Sequence, residues 1–89
     1  MGSFMPRIVT LRSTQIRVYP DDTRKHKQPH FHAASPDGEV VISLPELDVI
    51  AGAVRNLDEV MAWAFIPSNL TRLMDVWDLG NPNIKVRRP

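Results

Sequence analysis

The run His26-Lys27-Gln28-Pro29-His30-Phe31-His32-Ala33-Ala34 passes through Ser35-Pro36-Asp37-Gly38 into Glu39-Val40-Val41-Ile42-Ser43-Leu44. The last six residues are β-branched and mostly apolar. The four before them are turn formers by composition, and a four-residue turn between two strand-like runs signals a β-hairpin. Residues 30–34 and 39–44 therefore read as the third and fourth strands of a sheet. Ahead of them, residues 23–29 are polar and read as a loop.

Working outward toward the N-terminus, residues 7–12 (Arg-Ile-Val-Thr-Leu-Arg) and 15–19 (Gln-Ile-Arg-Val-Tyr) place apolar side chains at alternate positions. Ile16 and Val18 share one face and Arg17 and Tyr19 the other, while Ile8 is out of phase with Val9 and Leu11. Ser13-Thr14 joins the two runs as a hairpin connection. Pro20-Asp21-Asp22 ends the second, because proline cannot continue a ladder and Asp favours turns.

Toward the C-terminus, Pro45 interrupts and a weaker fifth strand is expected over residues 48–51. Asn56 followed three residues on by Glu59 has the form of a capping box. Leu57, Val60, Met61, Ala64 and Phe65 then recur at helical spacing. Pro67 must kink or break that helix. Leu70, Leu73, Met74 and Trp77 resume one apolar stripe, and Gly80 followed by Pro82 is a helix stop. Trp63, Phe65 and Trp77 read as core or helix-interface anchors rather than a base-stacking platform, and Asp75 and Asp78 as exposed. Ile84 and Val86 alternate with Lys85 and Arg87, which predicts a short edge strand. The expected fold is α+β: three to five antiparallel strands covered on one face by a C-terminal, proline-interrupted helix pair.

Eighty-nine residues make one small domain, expected over 5–89, with residues 1–4 an appended remnant and Met5 the natural start. A chain of this size buries only roughly 60–65% of the surface that its unfolded form exposes. It has no cysteine, which excludes disulfides and thiolate–zinc sites and fits a reducing compartment. No run of about 18 apolar residues is present to span a membrane, and residues 1–6 lack the apolar core of a secretory signal. Residues 1–36 carry six Lys/Arg against two Asp, residues 37–78 two Arg against eight Asp/Glu, and Lys85, Arg87 and Arg88 follow without an acid. That distribution, basic at both ends, suggests an anionic partner such as RNA or an acidic protein; an ordinary solvated surface fits it as well.

All three histidines fall within seven residues. On a strand His30 and His32 point to one face and Phe31 to the other, into the core. Pro29 restricts Gln28 to an extended conformation, and the loop can fold His26 back toward the pair. Three gathered imidazoles can hold a borderline metal such as zinc, act as general acid and base near neutral pH, or bind a partner in a polar groove. Against a metal stands the lack of an obvious fourth ligand, since Asp21 and Asp22 read as turn residues. For acid–base work Arg17, Tyr19, Arg24, Lys25 and Lys27 are candidates to orient and neutralise a phosphate. No phosphate-binding glycine loop, serine-nucleophile motif or paired-carboxylate pattern is present.

Along nearly its whole length from Met5 the chain resembles a small bacterial family, domain-of-unknown-function family DUF4160. The resemblance rests on Met5-Pro6-x-Ile8, then Ile16-x-Val18-Tyr19 with two acids after it, then a His-x-Pro-Pro-His-Phe-His signature. Here that signature reads His26-Lys27-Gln28-Pro29-His30-Phe31-His32, with Gln28 in place of the first proline. The tryptophan-containing helix ending at Trp77 and the closing Val86-x-x-Pro89 are similar too; Pro67 in mid-helix is less typical. The resemblance implies a cytoplasmic member of a two-gene, toxin–antitoxin-like cassette. Such a protein binds a small cognate protein and carries a toxic activity such as RNA cleavage.

Three expectations follow. One is a toxin–antitoxin-like component whose histidine-centred basic site is a metal-independent ribonuclease. In it His30 or His32 removes the 2′-hydroxyl proton, another histidine (His26 among them) protonates the leaving oxygen, and Arg17 and Arg24 stabilise the phosphorane. Lys25, Lys27 and Tyr19 contact the nucleic acid, and no cofactor is needed. The second is a non-catalytic binding module or antitoxin-side partner that uses its helices and edge strands, with a homo-oligomer left open. The third is a zinc site formed by His26, His30 and His32.

Overall fold

In the computed structural model, which describes residues 7–88, the chain folds as a five-stranded antiparallel meander followed by two helices. Met5, Pro6 and Pro89, which the family resemblance uses, lie outside the described residues. The strands are β1 (Arg7–Leu11), β2 (Thr14–Arg17), β3 (His30–Ser35), β4 (Gly38–Ser43) and β5 (Val49–Gly52), in spatial order 1-2-3-4-5. The phase break at Ile8 has a structural cause: the β1–β2 register shifts between Arg7 and Val9, where the edge strand carries an irregularity.

Register decides which side chains share a face. Ile16 pairs with Ala33, Ala33 with Val40, and Phe31 with Ile42. All five are fully buried, as is Val18 just past the end of β2. Burying each large apolar side chain contributes about 1.5–3 kcal/mol, so this face is the one the sheet cannot leave in water. On the opposite face Arg17 pairs with His32, His32 with Val41 and Val41 with Ala51. Arg17 and Tyr19 therefore lie on the same side of the sheet as the histidine pair, a relation that residue spacing cannot supply. β5 closes on β4 only because position 52 is glycine: its φ is +78°, and a Cβ there would strike the Glu39 carbonyl.

Helices α1 (Leu57–Phe65) and α2 (Pro67–Gly80) cover the apolar face through Val60, Ala64, Leu73, Met74 and Trp77. Pro67 breaks rather than kinks the helix. It is the first residue of α2, where its missing N–H costs nothing, and Ile66 between the helices is extended. Three expectations are corrected. Asn56 sits at the N-cap of α1 without capping it, because its side chain is used across the fold. It accepts from Thr14 Oγ1 at 2.6 Å and donates to the Leu11 carbonyl and to Glu59, locking α1 to the first hairpin. Phe65, on the helix side away from Val60 and Ala64, is 77% exposed and anchors nothing.

The third correction is the tail, which forms no edge strand. Residues 84–88 are an irregular strap bonded to the C-terminal part of α2. The Trp77 indole donates to the Ile84 carbonyl at 2.7 Å, and the Val86 N–H donates to Asp78 at 2.8 Å. The apolar alternation buries Val86 against the helix instead of pairing it with a strand. Arg88 bridges Asp75 and Asp78. Burial pushes the Asp78 carboxyl up, but the hydrogen bonds from Arg88 and the Val86 N–H outweigh it and hold the group below the usual carboxylate range. Asp78 is therefore the strap's anchor rather than an idle surface charge.

Candidate metal centre

β3 presents His30 and His32 on one face, their ring centroids 5.1 Å apart, with Phe31 turned into the core. His30 opens the strand and packs against Trp77 of α2 at 4.9 Å; its side chain is wholly enclosed. His32 is 13% exposed and meets the Tyr19 ring edge-on at 4.9 Å. Between them stands a residue read from sequence as a turn former. Asp22 Oδ2 lies 2.9 Å from His30 Nε2 and 2.7 Å from His32 Nε2.

The end of α2 aims that carboxylate. The Asp21 N–H donates to the Gly80 carbonyl at 2.9 Å, and the Asp22 N–H donates to Asn81 Oδ1 at 2.7 Å. Asn81 is buried, and its amide donates to the carbonyls of Tyr19 and Trp77. The approach is close enough that a Cβ on Gly80 would lie 2.9 Å from the Pro20 Cα. Asp21 turns the chain there in the left-handed region, with φ 54°, which aspartate tolerates better than most residues.

The far nitrogens of both rings are also held. His30 Nδ1 is 2.7 Å from the Gln28 carbonyl, and His32 Nδ1 is 2.6 Å from Glu39 Oε2. Four ring nitrogens thus face four acceptor contacts, yet two neutral imidazoles carry only two N–H groups. A carbonyl only accepts, so His30 Nδ1 is the protonated nitrogen of its ring; the same tautomer of His32 serves Glu39. The lone pairs of both Nε2 atoms then point at Asp22 Oδ2, leaving three electron-pair donors within 4.8 Å of one another. Two further protons or one cation complete the arrangement. Rings that ligate through one nitrogen and donate from the other to a carbonyl or carboxylate are the usual outer-shell pattern of metal-bound histidine.

Among the remaining sequence candidates, His26 does not join the donor set. Its ring centroid is 5.6 Å from that of His30, and Asp22 takes the third place instead. The Arg17 guanidinium is occupied by Gln15 and by Tyr19 Oη at 3.1 Å. Arg24, Lys25 and Lys27 are exposed. Lys27 lies on another cleft of about 270 Å³ with Lys85 and Arg87. The charged groups hydrogen-bonded to the two strand histidines are the carboxylates of Asp22 and Glu39, so the site is mixed in charge rather than basic. Sequence reasoning missed Asp22, Glu39 and Asn81. The adjacent acids at 21–22 were visible, but only the pairing of β3 with β4 and the closure of α2 bring these three residues to the histidines.

A family model described as a domain of unknown function (DUF4160) matches residues 14–78, a span that includes Asp22, the histidine signature and most of α2. No curated protein and no solved structure matches the chain. No helix among the described residues is long and apolar enough to cross a membrane.

Proposed function

This chain belongs to the DUF4160 family, and we propose that it is a divalent-metal-binding domain in which Asp22, His30 and His32 hold one ion of the zinc or iron(II) class. The observation that carries this reading is the convergence of two imidazole Nε2 atoms on one carboxylate oxygen, with both Nδ1 atoms already held by acceptors. Two imidazoles and a carboxylate suit borderline divalent ions and leave coordination positions open. When bound, such an ion supplies a Lewis acid and a water activated near neutral pH. The protein's part is to enclose His30, fix both tautomers and hold Asp22 on the end of α2. Calorimetric titration of tag-free, chelator-treated protein with zinc tests the proposal. One ion per chain is expected, with uptake lost in Asp22→Asn; a wild-type protein without heat of binding refutes it.

The metal-free ribonuclease reading draws less support from the same geometry. His30 is enclosed with both ring nitrogens engaged, so it does not meet a 2′-hydroxyl; His26 and His32 are the rings that reach solvent space. A second reading, association with a small cognate protein in a toxin–antitoxin-like pair, is favoured by Phe65 and Ile66. These consecutive residues are 77% and 50% exposed at the break between the helices, where large apolar side chains commonly mark interfaces. Co-expression with the neighbouring gene tests it: a stable complex that Phe65→Ser weakens supports the reading, and no complex removes it. An RNA partner would use the cleft where Lys27 meets Lys85 and Arg87, with Glu46 the one acid on its wall.

A further inference from the structure

The candidate metal centre opens onto a cleft of about 430 Å³ whose wall includes Asp22, His32 and Glu39 and whose floor includes Val41. Lys25 and His26 line it as well. These two differ from the other polar groups there. Asp22, His32 and Glu39 are tied to one another, whereas no side-chain hydrogen bond or ion pair holds Lys25 or His26 among the described residues. His26 is the one histidine of the three without a structural partner for its nitrogens; only its ring edge touches His30.

Resting on the metal reading, we infer that this cleft binds a phosphoryl group, with one oxygen on the ion and the others taken by Lys25 and His26. Charge and acceptor number both favour a phosphoryl group. A divalent ion outweighs the single negative charge of Asp22 beside two neutral rings, and Lys25 on the same cleft offsets that of Glu39. Glu39 keeps its charge while accepting from His32, so the ion, Asp22, Glu39 and Lys25 together are left net positive. A bound anion must then offer an oxygen to the ion and separate oxygens to an ammonium and an imidazole N–H. A phosphoryl group has three such oxygens, and a carboxylate has two. Charge-assisted hydrogen bonds of this kind are stronger than neutral ones.

The test uses the full chain loaded with cobalt(II) and freed of excess metal, because the visible spectrum of the bound ion reports both its presence and any change in its ligands. Inorganic phosphate and phenyl phosphate are titrated as probes, with acetate as the carboxylate arm. The expected result is a saturable spectral change with both phosphates at concentrations where acetate is silent. Lys25→Ala and His26→Ala should each keep the cobalt spectrum and weaken phosphate about tenfold or more. A cobalt-loaded protein that ignores phosphate, binds acetate as tightly, or binds phosphate equally in both variants overturns this inference and leaves the metal reading standing. A protein that takes up no cobalt overturns both.

Discussion

Two side-chain clusters gather near the C-terminal end of α2, and they are built on different accounts of protons. In the strap, Arg88 meets Asp75 and Asp78 at 2.8 Å each. A guanidinium always carries its N–H groups, so every contact there is a complete hydrogen bond and nothing further is required. At the other cluster, Asp22, His30, His32 and Glu39 make contacts of 2.6 to 2.9 Å, and two imidazoles in their neutral form lack two of the protons those contacts need. Similar distances thus describe a finished ion pair in one place and, on the metal reading proposed above, an unfinished ligand set in the other. What separates them is the chemistry of the donors and the enclosure of His30, not the closeness of the charges.

The largest expected effect falls on the unfinished cluster. Asp22→Asn keeps the shape and the backbone bond to Asn81 but removes the charge that both Nε2 contacts share. Zinc affinity should fall by at least about 100-fold, the upper end of what loss of an outer-shell partner costs; calorimetry measures it. Next is Asn81→Ala, which leaves the Asp22 N–H and the Tyr19 carbonyl without their buried partner. Urea unfolding should register a loss of about 1–3 kcal/mol, accompanied by weaker metal uptake because the Asp22 turn is released from α2. Glu39→Gln should cost about tenfold in metal affinity by weakening the acceptor behind His32, with stability nearly unchanged since Glu39 is half exposed.

The smallest effect belongs to the finished cluster. Arg88→Gln should leave metal binding untouched and flatten the acid limb of the stability curve. The sign follows from Asp78, whose folded carboxyl is held below its ordinary value of 3.8. Its contribution is complete above that value and is lost as pH falls through the lower, folded one. Denaturation midpoints between neutral and strongly acidic pH measure the difference, and a variant that also lost zinc would erase the contrast between the two clusters.

Much of the fold was legible in the chain because local signals and tertiary demands agree. Ile16 and Val18 against Arg17 and Tyr19, Phe31 between two histidines, and Pro67 as an interruption of the helical run all read correctly, since strand alternation and the missing proline N–H act over one or two residues. The failures occurred where a residue serves a distant partner. Asn56 has the composition of a cap but is drawn off by Thr14 and Leu11. Ile84 and Val86 alternate like a strand yet dock on α2, because Asp78 and Trp77 supply the bonds that a neighbouring strand would have given. For the same reason the site was half visible: the His-x-His pair is local, whereas Asp22 gains its role from Asn81, fifty-nine residues away.

The central claim, that Asp22 rather than His26 completes the ligand set, is tested most directly by the metal content of tag-free protein after zinc loading and desalting, measured by mass spectrometry for wild type, Asp22→Asn and His26→Ala. About one zinc per chain in wild type and His26→Ala, and far less than one in Asp22→Asn, is the predicted pattern. Retention of zinc by Asp22→Asn together with its loss in His26→Ala would contradict it.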